Sequence, residues 1–334
     1  MSFMKIESAI ETIDLTKKYG KLTAVDKLNL QIDFGEVFGL LGPNGAGKTT
    51  AISLLCTMIN PTLGSAKVNG FDIVKQPADV RQSIGIVFQD PSIDTRLTGR
   101  ENLKLHACLY SVPSTMTDKR ISEVLDLVGL QDRADSLMKT YSGGMRRRLE
   151  LARGLLHNPK ILFLDEPTLG LDPQTREHIW TYIQELARSS NITIILTTHY
   201  MEEAEKLCDR VAIIDYGKIK VIDTQSRLKS ALEGDVISIV TDKPAELAGR
   251  LIEMGISVEK DPVKDILRLT VKDAEKLVPK LIEIASDISA EVSSVSIHHP
   301  TLNDVFLKYT GRDIRDDEAE SVARVFMRSM NRNR

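Results

Sequence analysis

Three stretches of this chain gather residue types suited to holding and cutting a phosphate chain. The first is Gly42-Pro43-Asn44-Gly45-Ala46-Gly47-Lys48-Thr49, continued by Thr50. Glycines in such a loop let successive backbone N–H groups turn inward around an anion, and a helix opening at the same point adds partial positive charge. Lys48 can reach the outer phosphates, and the Thr49 hydroxyl is suited to Mg²⁺. Gly42, Asn44, Gly45, Gly47, Lys48, Thr49 and Thr50 therefore form a candidate nucleotide-binding set. The second stretch is Asp165-Glu166-Pro167, where adjacent carboxylates suit two tasks: Asp165 to orient Mg²⁺ and Glu166 to polarise an attacking water. The third is Ser142-Gly143-Gly144-Met145, preceded by Tyr141, a possible second phosphate-facing helix start with donors from Ser142 and Gly144.

Each stretch has a bland reading when taken alone. A glycine-rich turn can be structural, an Asp-Glu pair can be a solvated turn, and Ser-Gly-Gly occurs in many loops. What separates the functional reading is the element on either side. The run Val37–Leu41 is apolar and short, as a buried strand is, and it delivers the glycine loop to a helix predicted over Thr50–Met58. Ile161–Leu164 is a second such strand, ending at Asp165, and the carboxyl end of a strand is where an α/β sheet binds ligands. Ile84–Phe88, Ile192–Thr197 and Arg210–Asp215 complete a set of continuous apolar runs, which suits a parallel sheet covered on both faces. Between Gln89 and Asn158 the pattern turns helical, most clearly over Asp118–Val128 and Met145–Leu156, and reads as an inserted helical subdomain at about 90–158.

Taken together and in this order, the glycine loop, the Asp-Glu pair and Ser142-Gly143-Gly144 resemble the ABC-type ATPases. The resemblance implies a P-loop α/β fold, ATP and Mg²⁺ as cofactors, and ATP hydrolysis at sites shared between two chains. It implies a homodimer in which Ser142, Gly143 and Gly144 face nucleotide held by the opposite chain. It also assigns roles to single residues: Gln89 to Mg²⁺ and the membrane partner, Asp172 to the contact between chains, His199 to sensing the γ-phosphate, and Tyr19 to stacking on adenine. Thr49, Gln89 and Asp165 are the implied metal set, and Lys48, Gln89, Glu166 and His199 the implied catalytic set. Met145 departs from the Gln that many relatives carry, at a position less tied to the phosphate donors, and no loss of activity is expected from it. Arg146–Arg148, three neighbours that fan around a helix axis, are read as a solvated face and not as a nucleic-acid patch.

Two further stretches narrow the resemblance. Leu97-Thr98-Gly99-Arg100-Glu101-Asn102-Leu103 and Pro300-Thr301-Leu302-Asn303-Asp304-Val305-Phe306-Leu307, with Thr310-Gly311-Arg312, resemble the daunorubicin-resistance-like ATP-binding subunits. That group implies a separate transmembrane permease of the ABC-2 class and the export of drugs, lipids or other apolar compounds. Competing readings are a soluble ABC ATPase acting on a nucleic-acid or ribosomal partner, a non-catalytic binding module and an importer subunit. One P-loop, one signature and no sustained heptads count against the first, and intact Lys48, Asp165, Glu166 and His199 against the second. The C-terminal ending points away from the third.

Composition agrees. Apolar residues at 42% and charged residues at 27% are an ordinary soluble balance, and a net charge of −3 counts against binding nucleic acid through a dominant basic surface. Cys56, Cys108 and Cys208 show no metal or disulfide spacing and are each expected to be small buried apolar residues in a reducing compartment. The N-terminus lacks the apolar core of a signal peptide, and the apolar runs fall far short of a membrane span. The expected location is cytoplasmic, peripheral on the inner face of the cell membrane through the permease.

The rhythm changes after Gly234. Strands over Val236–Val240, Ile256–Lys260, Ile266–Val271 and Glu291–Ile297, with helices over Ala245–Met254 and Ala274–Ala285, give the order βαββαβ of a ferredoxin-like domain. The expected division is an ATP-binding domain over 1–233, an accessory α+β domain over 234–311 closed by a helix near Leu302–Thr310, and a charged tail over 312–334. In the tail Val322, Val325, Phe326 and Met330 fit one helical face; the segment reads as a solvated terminus or as an amphipathic contact with a partner or membrane.

Overall fold

A computed structural model describes residues 8–89, 92–232, 234–260 and 266–311; the charged tail lies outside the described residues. The described chain forms two compact units that divide after Asp223. The first runs through β1 (Ile10–Tyr19), β2 (Leu22–Ile32), β3 (Val37–Leu41), α1 (Lys48–Leu55), β4 (Leu63–Val68), β5 (Phe71–Asp72), α2 (Pro77–Ser83) and β6 (Ile84–Val87). It continues through α3 (Gly99–Leu109), α4 (Ser114–Leu127), α5 (Gly143–Leu155), β7 (Ile161–Asp165), α6 (Pro173–Ser190), β8 (Thr193–Thr198), α7 (Met201–Leu207), β9 (Arg210–Asp215) and β10 (Lys218–Thr224).

The central sheet has the order β10-β9-β3-β8-β7-β6, and the pairs from β9 to β6 are parallel. Every residue of β3, β7 and β8 is buried, which is why these strands read as continuous apolar runs and not as alternating ones. Beside it an antiparallel sheet, β2-β1-β4-β5, packs its inward residues into the same core, with Ile10, Leu15, Leu28 and Ile32 fully enclosed. The helices α3, α4 and α5 lie between β6 and β7 in the chain. Their starts are written locally. Thr98 accepts from the Glu101 N–H while the Glu101 carboxylate accepts from the Thr98 N–H, a reciprocal capping box on α3. Ser142 caps α5 and Asp172 caps α6, where Pro173 occupies the first turn at no hydrogen-bond cost.

The second unit holds α8 (Gln225–Ser230), β11 (Asp235–Thr241), α9 (Pro244–Glu253), β12 (Val258–Lys260), β13 (Ile266–Val271), α10 (Ala274–Asp287), β14 (Val292–His298) and α11 (Leu302–Thr310). Its sheet is antiparallel throughout, in the order β12-β13-β11-β14, as the ferredoxin-like arrangement requires. One face of this sheet carries the core: Ile237, Ile239, Leu267 and Leu269 pack against Leu247 and Leu281 of the helices. Burial therefore alternates along β11, unlike the central strands of the first unit.

Cys56 and Cys208 are buried as expected, but Cys108 is exposed. Its position on the outer side of α3, next to the exposed Leu109 and away from buried Leu103 and Ala107, overrides the tendency of free cysteine to be internal. No described helix is long and apolar enough to cross a membrane.

A ring cluster ties the helical insert to β6. The His106 and Tyr110 ring centroids lie 4.6 Å apart, Tyr110 stacks on His157 at 4.0 Å, and His157 Nε2 sits 2.8 Å from the Ile84 carbonyl. Burial, followed by the positive charges of Arg153 and His157, pushes the His106 pKa down to about 3. The ring is thus neutral in the folded chain and protonates in the unfolded chain below its ordinary pKa of about 6.5. Its contribution to stability is whole above that pH and is lost as pH falls toward the depressed folded value. The thermal midpoint should decline as pH drops below ~6.5, and His106→Phe should flatten that decline; equal slopes in the two proteins would contradict this account.

Candidate functional site

The glycine loop grows directly out of β3. Gly42 donates its N–H to the Thr198 carbonyl at 3.2 Å, and Gly47 caps α1 at φ 103. A side chain at Gly47 would lie 2.4 Å from the Ala24 carbonyl oxygen, so both its conformation and its surroundings require glycine. The loop is backed by the two-residue turn Tyr216–Gly217 between β9 and β10, both residues at positive φ as this hairpin turn demands. Gly217 donates to the Ala46 carbonyl at 2.8 Å and accepts from the Asp26 N–H at 2.9 Å. Together these segments wall a cavity of ≈ 460 Å³ that gathers Tyr19, Asn44, Gly45, Gly47, Lys48, Thr49, Thr50, Gln89 and Glu166. Leu22, Thr23, Ala24, Tyr216 and Gly217 line it too and were not anticipated; the Tyr-Gly dipeptide after an apolar strand was the available signal.

A break in the strand brings Glu166 to the cavity wall, while Asp165 lies behind it, joined to the lining residue Thr49. Asp165 ends β7, and its Oδ1 accepts from Thr197 Oγ1 at 2.5 Å and from Thr49 Oγ1 at 3.3 Å. Glu166 then turns to φ 47, its N–H held by the Thr197 hydroxyl at 3.1 Å and the Thr197 carbonyl at 3.2 Å. Its Oε1 lies 3.3 Å from Lys48 Nζ and 3.3 Å from His199 Nδ1. Lys48 Nζ also donates to the Gly42 carbonyl at 2.7 Å and the Pro43 carbonyl at 3.1 Å. Lys48 and Glu166 are buried, so their charges interact with little screening, and His199 is buried beside them. Burial pushes the Glu166 pKa up, but the His199 hydrogen bond and the Lys48 charge outweigh it and hold the carboxyl below its ordinary value.

The donor set suits Mg²⁺. A hydroxyl and a carboxylate 3.3 Å apart, with the Gln89 amide on the same cavity, are hard oxygen ligands. Among the described residues no cluster of three His, Cys, Asp or Glu could hold a metal by itself.

Ser142, Gly143, Gly144 and Asp172 do not line this cavity. Ser142 and Gly143 are exposed, with Ser142 Oγ accepting from the Met145 N–H at 3.3 Å. Asp172 is likewise exposed and accepts from the Thr175 N–H at 3.0 Å; hydrogen bonds from Thr175 lower its pKa.

The reading of Arg146–Arg148 as a solvated face is overturned. Arg147 is buried, and the other two are half-buried, Arg148 donating to the Val128 carbonyl at 3.0 Å and Arg146 to the Lys139 carbonyl at 3.4 Å. Carbonyls brought in from other segments make burial affordable, and one helix viewed alone does not reveal them. Glu203 on α7 was also missed. It is fully buried, and its Oε1 accepts from the Thr168 hydroxyl at 2.7 Å and the Trp180 indole N–H at 2.9 Å; Glu203 follows His199 on the chain, and Thr168 follows Glu166. Burial raises its pKa against the pull of hydrogen bonds from Thr198, Thr168 and Trp180.

A family profile described as ABC transporter matches residues 25–169. The daunorubicin/doxorubicin resistance ATP-binding protein DrrA of Streptomyces peucetius is 40% identical over 319 residues, spanning 94% of this chain and 96% of that protein. The chain belongs to the ABC transporter family. Within it, this ABC protein is 38% identical to the linearmycin resistance ATP-binding protein LnrL of Bacillus subtilis, over 92% of this chain and all of the relative. It is also 38% identical to the Nod factor export ATP-binding protein I of Ralstonia nicotianae, over 90% and 94%. Among solved structures it matches cbiO1 of Clostridium perfringens, part of an ABC transporter complex, with a TM-score of 0.63 at 27% identity over 75% of this chain and 98% of that one. It also matches the ATP-binding cassette MJ0796 in a dimeric post-hydrolysis state with ADP and Pi, with a TM-score of 0.58 at 27% identity over 64% and 98%. This ABC protein is an ATP-binding subunit and an ATP hydrolase, and its fold is the P-loop α/β cassette with an added C-terminal sheet unit.

Glu203→Ala should leave the buried donors of Thr168 and Trp180, and that of Thr198, without their carboxylate acceptor, at about 1–3 kcal/mol each. Urea unfolding measures this, and Glu203→Gln, which keeps an acceptor, should fall between the two.

Proposed function

We propose that this chain drives export through a separate permease of the ABC-2 class, as a homodimer with two composite ATP sites. The observation that carries the reading is the Glu166 carboxylate set between Lys48 and His199, 3.3 Å from each, at the mouth of the phosphate loop. A carboxylate held ionised beside a lysine and an imidazole can take a proton from water while the lysine neutralises phosphate. The resistance and export roles in the names of the relatives support the direction of transport.

In this reading Lys48 and the N–H groups of Asn44, Gly45 and Gly47 hold the phosphates, with Gly42 tying the start of the loop to Thr198 and Thr50 in the first turn of α1, and Tyr19 stacks on adenine. Thr49, Gln89 and Asp165 hold Mg²⁺, which supplies charge neutralisation when bound. Phosphate at the loop competes with Glu166 for Lys48 Nζ, freeing the carboxylate to meet water while His199 keeps its orientation. Ser142, Gly143 and Gly144 of a second copy complete the site, and Asp172 meets the facing copy. The exposure of Ser142, Gly143 and Asp172, outside the chain's own cavity, suits that role. The chain sits at the cytoplasmic face of the membrane, and the accessory domain over 234–311 steadies the dimer or its docking.

Glu166→Gln should lower turnover about 10²–10⁴-fold while ATP still binds and the dimer persists. That loss corresponds to roughly 3–5 kcal/mol of barrier. A monomer with undiminished turnover would refute the composite site. Lys48→Ala should instead weaken nucleotide binding itself, read by titration with a fluorescent ATP analogue.

A further inference from the structure

The guanidinium of Arg147 is the most heavily engaged buried side chain near the site, and nothing in the reading above uses it. A guanidinium has five N–H donors in a fixed planar fork. Nε donates to the Pro167 carbonyl at 2.6 Å. Nη1 donates to the Phe88 carbonyl at 2.5 Å and to Glu150 Oε2 at 2.9 Å. Nη2 donates to the Glu166 carbonyl at 3.1 Å and the Asp165 carbonyl at 3.2 Å. Five acceptors thus meet five donors. Three belong to the consecutive residues in which β7 ends and Glu166 adopts φ 47. The fourth belongs to the residue before Gln89. The fifth, Glu150, is one helical turn along α5 and itself accepts from the Ser92 N–H at 3.0 Å through Oε1.

We propose that Arg147, braced by Glu150, is a positioning residue for hydrolysis: it fixes the backbone from which Glu166 and Gln89 project, without touching nucleotide. Three successive carbonyls pointing at one cation are a specific demand on the chain, since in an extended strand neighbouring carbonyls point to opposite sides. The turn at Glu166 brings them to the same side, and the guanidinium plane spans them. Lysine cannot replace this fork, because an ammonium is compact and offers three donors at most. The pair is also dispensable for packing in principle, since a buried ion pair exchanged for apolar groups of similar volume is often neutral or stabilising. That property separates holding the fold together from placing the carboxylate.

The inference rests on Glu166 as the general base. The experiment compares the wild-type chain, Arg147→Lys, Arg147→Met and the double variant Arg147→Met/Glu150→Met, with Glu166→Gln as a control. It measures urea stability, affinity for a fluorescent ATP analogue, ATP hydrolysis with protein in excess over nucleotide, and amide hydrogen exchange across residues 165–169. Arg147→Met should be destabilised by the charge left on Glu150 and by the unpaired carbonyls, and the double variant should recover the part that the stranded charge causes. In the double variant hydrolysis should still be lower by about 10²-fold, as displacement of a catalytic group produces. Its nucleotide affinity should stay near wild type, the signature of an interaction needed only in the transition state. The Leu169 amide, which donates to the Glu166 carbonyl at 3.2 Å, should lose protection in the double variant. Arg147→Lys should sit between Arg147→Met and wild type in hydrolysis. A stable double variant with wild-type hydrolysis or wild-type protection at Leu169 would overturn the proposal, as would a fully active Arg147→Lys. Full activity in Glu166→Gln would refute the general-base assignment instead and leave the exchange result to judge Arg147.

Discussion

Consecutive side chains on a strand point to opposite faces of the sheet, so two adjacent carboxylates cannot serve one ligand while the chain stays extended. In the proposed site Asp165 and Glu166 do so, and the chain meets the constraint by ending β7 between them. Asp165 keeps the strand's geometry and reaches Thr49, whereas Glu166 leaves it at φ 47 and reaches Lys48 and His199. A left-handed backbone is uncommon for a residue with a β-carbon and persists where its surroundings fix it. Here the surroundings are the Thr197 hydroxyl and carbonyl on one side and the Arg147 guanidinium on the other. Much of the first unit can be understood as a mounting for that break.

The mounting comes from three directions. The parallel sheet places β3, β7 and β8 side by side, so the glycine loop, the carboxylates and the Thr197–His199 segment emerge at one edge. The hairpin turn at Tyr216–Gly217 closes on the loop from behind through Ala46. The insert contributes α5, whose exposed N-terminus carries Ser142 and whose buried next turn carries Arg147. One rigid helix therefore holds both the surface expected to meet a second chain's nucleotide and the clamp on its own carboxylate.

What was legible in the sequence follows from how local the chemistry is. The glycine loop could be read because its glycines, lysine and threonine act within eight positions and sit between a strand and a helix. The helix start at Ser142 is local as well, and the apolar runs of the central sheet follow from burial on both faces. Arg147 and Glu203 could not be read, because a buried charge is tolerable only through partners that the fold supplies from distant segments: Phe88 and Pro167 for one, Thr168 and Trp180 for the other. The first two strands escaped notice for another reason. Their pairing contains several register shifts, which break the two-residue alternation by which a half-buried strand is recognised.

The cysteines carry a practical corollary. Cys56 and Cys208 lie in the core, where burial raises both thiols well above their ordinary pKa. Cys208 is pressed so closely on Gly39 that a methyl group there would stand 2.6 Å from its sulfur. Cys108 alone of the three faces outward. The native chain thus already has a single point of attachment for a dye or spin label, on the helical insert and away from the phosphate loop. Movements of that insert during a catalytic cycle can be followed by spectroscopy without first removing any cysteine.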